Sequence, residues 1–255
     1  MAENYVQTRT ALPLTLRLEA FAKLSQDDRV ALQTISSSSV REVSPRRDLV
    51  REGDVPRFVH LILEGWGCRY KTLPDGRRQI VSIFIPGDFC DLNVYILKQM
   101  DHNIGAITRM SVANITRDQM DAVTQAHPRV MQALWWHELV GVAVQREWTL
   151  NVGERTAYER IGHLLLELFF RLRTVGLTEG NSFHCPLTQT DIAESTGLTP
   201  VHVNRTLQAL RADGLIELER RQATLLDLSR LMDVTMFNPA YLHLDREGKH
   251  LDAND

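Results

Sequence analysis

The chain has 255 residues, a formal net charge of −3, and 44% hydrophobic and 24% charged residues, an ordinary globular composition with material for one large domain or two modest ones. No run approaches the roughly 18 apolar residues of a membrane span, and the opening MAENYVQTRT lacks the apolar core of a signal peptide. The expectation is therefore a cytoplasmic protein with no membrane partner. Cys68, Cys90 and Cys185 form no C-x-x-C pair, which argues against a disulfide framework, a zinc knuckle or a four-thiolate iron–sulfur cluster.

In chain order, the first elements are a helix and then short strands, from about Phe21 to Thr124. Ser25 with Asp28 is a capping-box pattern, and Val30, Leu32 and Ile35 form the apolar side behind it. Turn signals follow at Glu52-Gly53-Asp54, Glu64-Gly65, Pro74-Asp75-Gly76 and Pro86-Gly87-Asp88. The runs between them, Phe58 to Leu63, Gly67 to Thr72 and Gln79 to Ile85, read as strands of a sandwich or barrel. Pro74-Asp75-Gly76 between two such runs is a hairpin signal. A further short helix is expected to begin at Thr116 or Arg117.

Pro128 opens a longer helix, since proline is comfortable in a first turn, and the pattern continues to about Leu150. Val130, Leu134, His137, Gly141, Val144 and Trp148 recur at heptad spacing and are read as a dimer seam. Met131, Trp135, Leu139 and Val142 lie on a neighbouring face, expected to pack on the β domain. A homodimer is inferred from these two faces. Asn151-Val152-Gly153 reads as a break. A helix from about Glu154 to Thr174 follows, with Ile161, Leu164, Leu165, Leu168 and Leu172 as its stripe, ended by Gly176 and Glu179-Gly180-Asn181-Ser182. The tail after Arg246 is polar and expected to be loose.

The stretch from Leu187 to Arg211 reads as a helix-turn-helix. Thr188 with Asp191 is a second capping box, and Gly197 sits where the first helix must end left-handed. Thr199 caps the second helix and Pro200 takes its first position. Val203, Leu207 and Leu210 form its buried face. Val201, His202, Asn204, Arg205 and Gln208 then point outward from its N-terminal half, where a recognition helix meets base edges. Arg forks onto guanine, Asn brackets adenine, and Val meets a thymine methyl. Thr188 and Gln189 are placed to hold a phosphate, and Thr199 belongs to the same DNA-facing set. Leu215 to Leu218 and Ala223 to Leu228 read as the strands of a wing, with Arg220 and Arg221 at its turn reaching the phosphate backbone.

On these residues the chain resembles a Crp/Fnr-type transcription regulator, over nearly everything from Phe21 to Leu228. Arg51-Glu52-Gly53-Asp54 through Leu61-Ile62-Leu63-Glu64-Gly65 and Ile85-Pro86-Gly87-Asp88-Phe89 resemble that family's β-roll. Leu187-Thr188-Gln189-Thr190-Asp191-Ile192-Ala193, Gly197-Leu198-Thr199 and Val203-Asn204-Arg205 resemble its DNA-reading unit. The resemblance implies an α+β chain: a double-stranded β-helix or jelly-roll effector domain over 1–127, a dimerisation helix and hinge over 128–152, a winged helix-turn-helix over 153–230 and a C-terminal extension over 231–255. It implies a homodimer on a two-fold double-stranded DNA operator, with RNA polymerase as a further partner. It also implies that Arg205 contacts a base. Val201 replaces the family's usual Glu, which leaves the preferred half-site open.

The effector side departs further from the family pattern. Where cyclic-AMP binders carry F-G-E-L and then R-S-A, this chain has Phe89-Cys90-Asp91-Leu92 and then Asn103-Ile104-Gly105-Ala106. A buried ring phosphate without an Arg or equivalent donors would be poorly compensated, so the expected signal is not cyclic AMP. Phe89, Cys90, Asp91 and Asn103 are the effector-pocket candidates, and no cofactor or metal is expected. His102 and His137 are read as structural. Two competing readings are a metal-dependent cupin-like enzyme and a β-roll interaction module that does not bind DNA. The scattered histidines, without H-x-H or H-E-x-x-H, argue against the first, and the wing argues against the second; no enzymatic activity is expected.

Overall fold

The structure is a computed structural model and describes residues 12–37, 39–92 and 94–244. Two short helices open it, α1 (Pro13–Glu19) and α2 (Gln26–Ser36). Ser25 and Asp28 form the expected reciprocal cap on α2. Leu32 and Ile35 are buried, but Val30 is exposed, so the apolar side of α2 is narrower than expected.

Seven antiparallel strands follow: β1 (Val40–Val43), β2 (Asp48–Val50), β3 (Val59–Glu64), β4 (Gly67–Thr72), β5 (Arg78–Phe84), β6 (Asn103–Ala106) and β7 (Met110–Ile115). They build two sheets, in the orders β1-β7-β3 and β2-β6-β4-β5. The four expected turn glycines all take positive φ, between 82° and 90°, a conformation open to glycine at no steric cost. At Gly87 a side chain is excluded twice over, because a Cβ there would lie 2.8 Å from the Pro13 backbone. Leu61, Ile62, Ile104, Met110 and Ile115 fill the roll.

Helix α3 (Arg117–Ala126), capped by Thr116 and Gln119, leads into α4 (Pro128–Gly153). At 26 residues, α4 is about 39 Å long. It runs through the expected break at Asn151-Val152-Gly153. The Asn151 side chain is engaged, accepting from Arg155 Nη1 at 3.2 Å and lying 3.4 Å from the His163 ring. The chain turns at Glu154, and Thr156 caps α5 (Ala157–Thr174), whose whole expected stripe is buried.

The two faces of α4 are inverted relative to expectation. Val130, Leu134, Val144 and Trp148 are buried within the protomer, packing on the β-roll and on α5, and His137 is half-buried beside Phe89. Met131, Trp135, Leu139 and Val142 are exposed instead, Trp135 and Leu139 by 62% and 61%. Of the expected seam, only Gly141 faces solvent. Periodicity marks both faces as apolar. Which of them meets the β-roll is decided by tertiary packing, including the Trp148 indole, which donates to Glu167 of α5.

Beyond α5, Glu179-Gly180-Asn181-Ser182 is more than a helix stop. It is the turn of a hairpin between β8 (Thr178–Glu179) and β9 (Ser182–His184). Helices α6 (Gln189–Thr196) and α7 (Pro200–Ala212) come next, then β10 (Ile216–Glu219) and β11 (Gln222–Leu225). The second hairpin joins the first in one sheet, ordered β10-β11-β9-β8. The returning strand ends at Leu225, not Leu228, because Asp227 caps α8 (Leu228–Val234) by accepting the Arg230 N–H. The boundary expected at 230/231 therefore falls inside a helix. Helix α8 lies so close to α5 that a Cβ on Gly162 would come within 2.4 Å of Thr235 Cγ2. The tail after Arg246 lies outside the described residues. One apolar cluster runs from Ile80, Ile83 and Ile85 of the β-roll through α5 into α6 and α7, so the two halves share a core.

Candidate nucleic-acid interface

The unit expected to read DNA is built from local signals that the structure realises. The Thr188 N–H and hydroxyl donate to Asp191 Oδ2 at 2.9 and 2.7 Å, and Thr188 Oγ1 accepts the Asp191 N–H at 3.2 Å. Gly197 ends α6 at φ 67°, which lets the Leu198 N–H return to the Ala193 carbonyl at 3.1 Å. Thr199 then caps α7 by accepting the His202 N–H, with Pro200 in the first turn. Ile192, Ala193, Val203, Leu207 and Leu210 are buried where the two helices meet α5.

That packing fixes which side of α7 is left outside. Val201 is 71% exposed; His202, Arg205 and Gln208 are exposed and Asn204 is half-buried. Asn204 Nδ2 donates to Gln189 Oε1 at 3.3 Å, tying the start of α6 to the outer face of α7. Gln189, Val201, Asn204, Arg205 and Gln208 border one shallow concavity together with Pro200. Thr188 and Thr199 are exposed at the two helix starts, where the first N–H groups have no intrahelical acceptor. At the wing, Arg220 and Arg221 form the turn between β10 and β11, with left-handed φ of 46° and 65° at consecutive non-glycine residues. Of the residues expected to face DNA on this unit, all are exposed except the half-buried Asn204.

The effector candidates divide. Phe89, Cys90 and Asp91 border a cavity of about 290 Å³ between the β-roll, α4 and α5. Asn103 does not line it, because its side chain is turned to accept the Glu52 N–H at 3.0 Å. The arginine missing from the expected place is supplied by β4. Arg69 bonds the Cys90 carbonyl, pairs with Asp91 at 2.7 Å and donates to His102 at 3.3 Å. Strand spacing gives no signal for this, since Arg69 is one of several polar residues on β4. Burial pushes the Cys90 thiol well up, so it stays protonated.

A buried chain of ions borders the same cavity. Asp88 takes Arg17 of α1 at 3.1 Å and Arg171 of α5 at 2.8 Å. Arg171 also pairs with Glu167 at 3.2 Å, and Glu167 accepts from Trp148 and from the Tyr241 hydroxyl at 3.0 Å. The two guanidiniums hold the Asp88 carboxyl below the usual range against the opposing effect of burial. Burial pushes the neighbouring His137 down to about 4, so it is neutral near pH 7.

Residues 40–127 match the model of the cyclic nucleotide-binding domain, and residues 159–234 match that of the Crp-like helix-turn-helix domain. The chain is 31% identical over 197 residues to the transcriptional activator protein FnrL of Cereibacter sphaeroides, covering 76% of this chain and 79% of that protein. It is 29% identical over 181 residues to the nitrogen fixation regulation protein FixK of Bradyrhizobium diazoefficiens, covering 71% and 75%. Among solved structures, FixK2 from Bradyrhizobium japonicum superposes with a TM-score of 0.68 at 26% identity, over 77% of this chain and 96% of that one.

Proposed function

Because the chain belongs to the Crp/Fnr family and is a DNA-binding transcription regulator of that type, we propose that it works as a homodimer on a two-fold operator, read by the outer face of α7. The observation that carries this reading is the single concavity that collects Gln189, Val201, Asn204, Arg205 and Gln208. Arg205 has the fork geometry for guanine O6 and N7, Asn204 can bracket adenine, and Val201 offers a methyl surface to thymine. Two copies held by α4 would set their recognition helices about 34 Å apart, one helical turn of DNA.

The pairing surface we assign is the exposed stripe of Met131, Trp135, Leu139 and Val142, not the buried heptad set. RNA polymerase is the proposed further partner, and the cytoplasm the proposed location. The β-roll is proposed to sense a signal other than cyclic AMP. A ring phosphate placed beside Arg69 would meet the Asp91 carboxylate already paired there, and like charges in a partly buried site repel strongly.

Site selection with the purified full chain should return a two-fold operator, and Arg205→Ala should abolish its footprint. An unchanged footprint would remove α7 as the reader. Micromolar binding of cyclic AMP or cyclic GMP by titration calorimetry would overturn the effector reading.

A further inference from the structure

Two arginines of the β-roll cross to the first helix of the DNA-reading unit. Arg46, in the turn between β1 and β2, grips Asp191 of α6 through both oxygens, Nη1 to Oδ1 at 2.5 Å and Nη2 to Oδ2 at 3.0 Å. Arg78, at the start of β5, reaches Glu194 at 3.4 Å. The two acceptors are three residues apart and so share one face of α6. That face is turned to the β-roll, with Asp191 only 1% exposed.

Both arginines are held in place. Arg46 takes a left-handed φ of 62°, a conformation that is strained for a residue with a Cβ. Its backbone is pinned there, its N–H donating to the Ala106 carbonyl at 2.8 Å and the next carbonyl accepting from Ala106 at 2.9 Å. Arg78 lies 3.7 Å over the Tyr70 ring, whose hydroxyl donates to Asp48 at 2.7 Å. Backbone strain of this kind persists where the surroundings over-determine it, and it concentrates at functional positions.

Asp191 also closes the capping box of α6. The carboxylate gripped by Arg46 therefore organises the helix start that carries Thr188 and Gln189. While α6 is docked in this way, Val201, His202, Arg205 and Gln208 of α7 remain exposed. The docking leaves the reading face open.

We propose that Arg46 and Arg78 are positioning residues for operator binding: by clamping Asp191 and Glu194 they let the β-roll set the orientation in which α7 meets the groove. This rests on the assignment of α6 and α7 as the DNA reader.

The test is a charge swap in the full chain, titrated on the selected operator by fluorescence anisotropy at several salt concentrations. Arg78→Glu and Glu194→Arg should each weaken binding on the order of tenfold, within the usual range of coupling between sites. The double swap should recover to within about threefold. Arg46→Gln, at a half-exposed side chain, should give a similar loss and keeps the test available where Arg78→Glu does not fold. The salt slope should stay at the wild-type value throughout, because no phosphate contact is removed. Unchanged or tighter binding by folded single variants, a double swap that fails to recover, or a shallower salt slope for Arg46→Gln would each overturn the proposal. Failure of the wild-type chain to select any operator would instead overturn the assignment of the reader.

Discussion

Replacing Arg220-Arg221 by Asn-Gly separates what the wing turn does for the fold from what it does for DNA. Both arginines sit at left-handed φ in a two-residue hairpin turn, a turn type that favours Asn-Gly because both central positions need positive φ. Given a cost of about 1–2 kcal/mol for each strained residue, and allowing for the extra chain entropy of glycine, the Asn-Gly chain should be more stable by about 1–2 kcal/mol. Its DNA binding should move the other way. If each arginine neutralises one phosphate, a dimer loses four contacts, and the slope of log affinity against log salt becomes shallower by roughly 3.6. Near 0.15 M salt the same counterion release is worth about 1 kcal/mol per contact, so affinity should fall by up to about a thousandfold. Urea unfolding and anisotropy titrations across a salt series read the two effects independently. A stabilised protein with an unchanged salt slope would show that the wing arginines are merely solvated. A destabilised one would show that the turn is not strained, and the reasoning from φ would fall.

Three further outcomes are expected. Trp135→Glu or Leu139→Glu, on the exposed stripe of α4, should convert dimer to monomer in sedimentation, whereas Leu134→Ala, on the buried face, should cost about 2–5 kcal/mol of stability and leave the dimer intact. His163 is fully buried and is pushed down to about 3 by burial and by Arg155. The unfolded chain therefore binds its proton first, and this residue's contribution to stability falls as pH drops from about 6.5 toward 3. The stability difference between wild type and His163→Gln should accordingly change by about 1.4 kcal/mol per pH unit in that window, and denaturation curves giving a pH-independent difference would refute it. Gly162→Ala should cost about 1–3 kcal/mol through overpacking against Thr235 Cγ2, 2.4 Å from the added carbon. Thr235→Ser removes that methyl and should recover most of the loss in thermal unfolding.

What the sequence made legible was what depends on neighbours in the chain. Thr188, Asp191, Gly197, Thr199 and Pro200 act on backbone within a few residues of themselves, so the helix pair could be read with its caps and its outward face. The turns of the β-roll were legible for the same reason, including the β4–β5 hairpin announced by Gly76. What stayed hidden was choice between distant partners. Both stripes of α4 are apolar, and nothing in their spacing says which one the β-roll takes. Strands β8 and β9, two and three residues long, are too short for alternation to show. Arg46 and Asp191 are separated by 145 residues, and no local pattern links them. Arg69 gave no sequence signal because it lies 20 residues before Phe89 in the chain and its side chain reaches Cys90 and Asp91 from β4.

The buried ions and the shared apolar cluster divide the work of joining the two halves. The cluster from Ile83 and Ile85 into Leu165, Leu168 and Phe169 supplies adhesion, but apolar contacts tolerate small slips at modest cost. The chain from Arg17 through Asp88 and Arg171 to Glu167 does not, since every member is buried and each ion needs its neighbour in place. Removing one partner from such a chain costs about 3–5 kcal/mol, while the intact set adds little over apolar packing. Its contribution is therefore to register rather than to bulk stability. Its members stand on α1, the Gly87-Asp88 turn and α5, with Trp148 of α4 and Tyr241 closing the far end. A displacement at the cavity that separates Asp88 from Arg171 breaks a buried ion pair, so that contact links α5, the first helix of the DNA-binding half, to the β-roll.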